Sequence, residues 1–102
     1  MELRPGARLE SATCDTQVVV VRAPGADAEV DLRCGGEPLR TLGTGGDRLP
    51  LAAEGEPTLL GKRYEDAELG LELLCTQGGA GTLTVGTTPL ALKGAKPLPS
   101  SD

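Results

Sequence analysis

Three features of this sequence predict an all-β fold with little or no helix. Residues 17–22, QVVVVR, form a β-branched run too short for a buried helix and closed by APG. Residues 29–34, EVDLRC, alternate polar and apolar with the period of a half-buried strand. The other apolar segments are short and separated by turn chemistry, drawn from 15 glycines and 8 prolines in 102 residues.

Taken in order, the APGADA stretch joins the first two strands, so 17–34 reads as a hairpin with a long loop. Residues 43–58, GTGGDRLPLAAEGEPT, read as a Gly/Pro-rich connector with one short strand at RLPL. GLELLCT at 70–76 and GTLTV at 81–85 flank QGGA and read as a second hairpin. Short strands are expected at 38–42 and 89–92, each entered through a proline that suits a strand's first residue. YEDAELGLELL contains good helix formers, but it is short and Gly70 interrupts it, so strand is preferred. KPLPSSD, residues 96–102, reads as an extended tail.

The chain is long enough for one domain, or for two very small modules sharing a core. Its core material is aliphatic: 17 leucines, no Phe, Trp or Ile, and Tyr64 as the sole aromatic. A net charge of −5 argues against a nucleic-acid partner, and without further aromatics there is no stacking platform for bases. No apolar stretch approaches membrane-spanning length, and MELRPGARLE does not resemble a signal peptide. A cytoplasmic location is therefore expected, where three cysteines are thiols rather than a disulfide framework.

The sequence also repeats itself. PGARL at 5–9 matches LGKRY at 60–64 at a shift of 55, and LRCGGEPL at 32–39 matches LTVGTTPL at 83–90 at a shift of 51. Each unit would be an entry strand, a hairpin and a closing Pro-Leu strand, too small to bury its own apolar face. This divides the chain into a first unit (1–42), a connector (43–58), a second unit (59–95) and the tail.

These units resemble desulforedoxin and the equivalent domain of desulfoferrodoxin, a rubredoxin-like family with the pattern aromatic-x-Cys-x-x-Cys-Gly, a Gly-rich turn, then Cys-Cys-Gly-x-Pro-Met. In the second unit Tyr64, Gly70, the Gly79–Gly81 turn, Thr82, Leu83, Pro89 and Leu90 fall on that pattern. Its four ligand positions are held by Asp66, Leu69, Val85 and Gly86. In the first unit, which carries a four-residue insertion, they are Ser11, Cys14, Cys34 and Gly35. The resemblance implies two ligand-depleted units packed in tandem as a pseudo-dimer, with Leu/Val burial replacing the folding energy of a metal.

Cys14 and Cys34 are the candidate thiol pair. If the family's knuckles are retained, their sulfurs lie close enough for a dithiol, a disulfide, half of a metal site, or two leftover buried thiols. No cofactor is expected; Zn or Fe would bind only if Cys14 and Cys34 recruited further ligands from Ser11, Asp15, water or a second protomer. Arg33 is adjacent in sequence but on the opposite strand face. Cys75, inside LELLCT, is read as a small core residue. The GTGG and QGGAG clusters lack the Lys-Ser/Thr ending of a phosphate loop, and the acidic YEDAE string lacks calcium-loop spacing. With no histidine, no Ser-His or Cys-His pair exists, and autonomous catalysis is not expected. Two functional expectations follow: a non-catalytic β-module that binds another protein as an accessory subunit, or a thiol redox or metal-binding protein using Cys14 and Cys34.

Overall fold

The computed structural model describes residues 3–25, 29–51 and 56–93, so the tail at 96–102 and parts of the APGADA loop and the connector lie outside it. Among the described residues there is no helix, and the ten strands form two antiparallel sheets. They are β1 (Arg8–Glu10), β2 (Gln17–Arg22), β3 (Leu32–Cys34), β4 (Glu37–Pro38), β5 (Arg40–Thr41), β6 (Arg63–Asp66), β7 (Leu71–Gln77), β8 (Leu83–Val85), β9 (Thr88–Pro89) and β10 (Ala91–Leu92). One sheet has the order β10-β6-β7-β2-β1-β5, and the other β4-β3-β8-β9.

The β-branched run forms β2 as expected, but neither anticipated hairpin exists. β2 and β3 lie in different sheets, and so do β7 and β8. The residues between β2 and β3 are numerous enough to carry the chain across to the second sheet. The valines of β2 then pair with the longest apolar strand available, β7 of the other half. The true hairpins turn elsewhere, through residues 11–16, Gly35–Gly36, 67–70 and 86–87. The predicted strand at RLPL is also absent: Leu49 N–H makes one backbone bond, to the Ala12 carbonyl at 2.7 Å, and Pro50 has no N–H to extend it into a ladder. The strands expected at 38–42 and 89–92 are each broken in the middle, at Leu39 and Leu90. Their prolines sit in β4 and β9, the two edges of the smaller sheet, where a missing N–H leaves no ladder bond unmade.

Exchanging β1–β5 for β6–β10 leaves both strand orders unchanged. The registers are just as symmetric. At the centre of the large sheet Val18 faces Cys75, Val19 faces Leu74 and Val20 faces Leu73. In the small sheet Leu32 faces Val85, Arg33 faces Thr84 and Cys34 faces Leu83. Even the irregularities correspond: the β2–β7 pairing skips Val21 on one strand and Thr76 on the other. Each half therefore donates its inner strands to the other.

Alternation puts Leu9, Val18, Val20, Leu71, Leu73 and Cys75 of the large sheet into one buried cluster with Leu32, Cys34 and Leu83 of the small one. Tyr64 joins it, and its hydroxyl accepts the Leu59 N–H at 2.9 Å. The one buried carboxylate of the large sheet is Glu72, opposite Glu65 on β6. Lys93 at 2.7 Å and Arg63 at 3.2 Å offset the like-charge pairing. Lys93 chiefly, with Arg63, holds the Glu72 carboxyl below its ordinary value.

Leu73 is fully buried where the two halves join. Leu73→Ala is expected to cost about 2–5 kcal/mol, read as a lower urea midpoint with an unchanged slope.

Candidate functional site

Residues 11–16 link β1 to β2 as a tight loop closed by the Ser11 N–H on the Thr16 carbonyl at 2.9 Å. Within it, Ser11 Oγ accepts the N–H groups of Thr13 at 3.0 Å and Cys14 at 3.2 Å. This side-chain cap curls the backbone and brings Cys14 Sγ to 3.4 Å from Ser11 Oγ. The second half makes the same cap with different chemistry. Asp66 Oδ1 accepts the N–H groups of Glu68 and Leu69 at 3.1 and 3.2 Å, and half-exposed Leu69 stands where Cys14 does.

Cys34 closes β3, and its side chain is wholly buried. The structure brings the two predicted thiols together, with Cys14 Sγ 3.9 Å from Cys34 Sγ and all three cysteines unbonded. The lid over them comes from the other half. Gly81 N–H donates to Cys14 Sγ at 3.3 Å. A Cβ on Gly81 would lie 2.9 Å from the Gly35 nitrogen and 3.0 Å from Cys34 Sγ; one on Gly79 would lie 2.5 Å from Thr16 Oγ1. Only glycine allows the turn to settle on the sulfurs.

The environments of the two thiols are opposed. Burial pushes Cys14 up, but hydrogen bonding with the Ser11 and Thr16 hydroxyls and from the backbone N–H groups of Thr16 and Gly81 outweighs it and holds Cys14 at about 6. Burial, reinforced by the charge on Cys14, pushes Cys34 up to about 11. The pair therefore gives up one proton readily and keeps the second, and the thiolate sits on Cys14. Because the folded value of Cys14 is depressed, its contribution to stability grows as pH rises from about 6 towards 9. Cys34 is raised, so its contribution is lost as pH passes from 9 towards 11.

Thr16 Oγ1 lies 3.2 Å from Cys14 Sγ, and Thr13 Oγ1 donates to the Cys34 carbonyl at 3.0 Å. A small polar cleft of about 150 Å³ opens onto Cys14, lined by Glu10, Ser11, Thr16, Gln17, Arg40 and Arg48 among others. Arg40 is held by Glu10 at 3.3 Å and Arg48 by Asp15 at 3.0 Å.

A four-coordinate metal does not fit these residues. The sulfur separation matches the edge of a tetrahedron with metal–sulfur bonds near 2.3 Å, which is ~3.8 Å. The remaining corners are the obstacle. Ser11 is committed to its turn, and Asp15 to Arg48. At Gly35, in the left-handed region at φ 66°, a Cβ would lie 2.3 Å from Thr13 Oγ1 and 2.5 Å from Leu51 Cδ1. Among the described residues no group of three or more His, Cys, Asp or Glu is placed to hold an ion.

The remaining candidates stay apart from the thiols. Arg33 bonds Asp31 and the Gly36 carbonyl. Cys75 is buried and donates to the Gln77 carbonyl at 3.2 Å. Asp66 of the acidic string serves as the turn cap described above. Sequence reading did not single out Thr16 or Arg40, and took Gly79 and Gly81 as turn residues of the second unit without connecting them to the thiols; only the proximity of Thr16 to Cys14 in CDT hinted at its part. No protein-family model, curated protein or solved structure matches this chain.

Alkylation of Cys14 by iodoacetamide is expected to rise with an inflection near pH 6, well below that of an ordinary thiol. Ser11→Ala and Thr16→Val should each move the inflection upward, as mass spectrometry of the labelled peptide across pH will show.

Proposed function

We propose that this chain is a small thiol redox module in which Cys14 and Cys34 pass between a dithiol and a disulfide. The observation that carries this reading is the 3.9 Å sulfur separation joined to the opposed acidities of the two thiols. One thiol is ionised, hydrogen-bonded and open to a polar cleft; the other is protonated, sealed and directly behind it. That is the division of labour thiol–disulfide exchange requires, an attacking thiolate and a second sulfur to close the bond. Closing it needs the sulfurs to approach from 3.9 Å to about 2.0 Å. In a reducing cytoplasm the dithiol would be the resting form.

On this reading the module descends from a fused pair of desulforedoxin-like units that have lost most metal ligands. The symmetric strand registers, the matched turn caps at Ser11 and Asp66, and the retention of one thiol from each knuckle support that descent. The reduced protein should present three thiols to a denaturing thiol assay and the oxidised protein one, Cys75. Peptide mapping should find the 14–34 bond, and Cys34→Ser should abolish it. Failure of any oxidising buffer to produce that bond would end the redox reading.

A second reading, an accessory module that binds another protein, is favoured by one feature. An apolar groove of about 510 Å³ lies in the second half, lined by Leu59, Tyr64, Leu83, Leu90 and Leu92 with Pro57 and Pro89. Leu59 and Leu92 on it are 46% and 42% exposed, more than an isolated domain needs to leave bare. The folded protein is expected to bind the apolar dye ANS and to lose that binding in Leu59→Asp/Leu92→Asp with its urea midpoint unchanged. A parent protein that leaves the dye dark would remove this reading.

A further inference from the structure

Resting on the redox reading, we infer that the oxidant served by this dithiol is a small hydroperoxide, with Cys14 as the attacking sulfur and Cys34 as the resolving one. Access is the first argument. Cys14 is 8% exposed and Cys34 not at all. The cleft above Cys14 holds only about 150 Å³, and its walls are polar. Exchange with a protein disulfide needs a bulky third sulfur brought into line behind the one attacked, and a recess of this size favours a smaller oxidant. A peroxide presents one small oxygen at its reacting end.

The second argument is the placement of donors. The Thr16 and Ser11 hydroxyls, at 3.2 and 3.4 Å from Cys14 Sγ, and the Gly81 N–H, at 3.3 Å, surround the sulfur. An oxygen arriving at Cys14 comes within reach of the Thr16 hydroxyl and the Gly81 N–H, donors that can stabilise charge on the oxygen that departs. Arg40 on the cleft wall, oriented by Glu10, adds a fixed cationic donor set.

The steps balance. Cys14 thiolate attacks one peroxide oxygen, the O–O bond breaks, and the other oxygen leaves as hydroxide or alkoxide and takes a proton from solvent. Cys14 becomes a sulfenic acid. Cys34 sulfur then attacks Cys14 Sγ, the S–O bond breaks, and the hydroxyl leaves as water with the Cys34 proton. The dithiol loses two electrons, and the peroxide gains them to give two waters, or water and an alcohol.

The test is stopped-flow oxidation of the reduced full chain by hydrogen peroxide and cumene hydroperoxide, set against glutathione disulfide and oxidised dithiothreitol. Peroxide should form the 14–34 disulfide roughly tenfold or more faster than it oxidises a free thiol of equal thiolate fraction. Cys34→Ser should stop at the sulfenic acid, trapped by dimedone on Cys14. Thr16→Val should slow the peroxide step at pH 9, where the thiolate is fully formed, while its reaction with iodoacetamide at that pH is unchanged; circular dichroism checks that both variants fold. Faster oxidation by the disulfides than by peroxide overturns this inference and leaves the redox reading standing. So does a peroxide rate no greater than that of the free thiol. No 14–34 bond with any of the four oxidants overturns both.

Discussion

Everything in this molecule depends on strands paired between its two halves. β2 is laddered to β7 and β3 to β8, so the centre of each sheet is a seam between one half and the other. A unit of five short strands exposes too much of its apolar surface to hold a fold alone. Sharing inner strands converts two inadequate faces into one aliphatic cluster that draws on both sheets. Its members are leucines, valines and cysteines with Tyr64, which fits a chain whose bulk comes from leucine and valine.

The thiol site inherits that constraint. Both cysteines belong to the first half, yet the N–H that helps hold Cys14 as a thiolate belongs to Gly81 in the second. Cys34 lies opposite Leu83 in the central ladder of the small sheet. The burial of Cys34 and the last of the contacts that lower Cys14 are thus properties of the assembled pair of halves, while Ser11 and Thr16 act on Cys14 from within its own turn. Opening the seam would lift the glycine turn off the sulfurs and expose both to water, where their acidities converge on that of an ordinary cysteine.

The two halves also show one turn geometry presenting different side chains. Ser11 and Asp66 occupy equivalent places and make equivalent caps, a side-chain oxygen accepting N–H groups two and three residues on. The backbone geometry is therefore maintained by hydrogen bonding alone. What differs is the residue the turn presents: Cys14 in one half, Leu69 in the other. The first half became a recessed polar thiol site, while the second left an apolar groove beside Tyr64. Equal scaffolds carry unequal surfaces.

What the sequence by itself determined is what local chemistry governs. The β-branched run at 17–22 is a strand, and the lack of helix among the described residues follows from short apolar segments cut by glycine and proline; the prolines at 38 and 89, expected to open strands, instead end β4 and β9 on the edges of the small sheet. The repeat at shifts of 55 and 51 was legible in turn glycines and hydrophobic spacing, and Cys14 and Cys34 were legible as a pair only through the family resemblance. Which strands pair was decided by tertiary structure. Nearness in sequence favours a hairpin of β2 with β3, but burying the valines of β2 against Leu73 and Cys75 requires a partner more than fifty residues away. Which thiol ionises was decided there in part: Ser11 and Thr16 sit in the same turn as Cys14, but the Gly81 N–H on Cys14 and the seal over Cys34 come from the other half of the chain. Burial and hydrogen bonding act through space, and only the folded chain sets those distances.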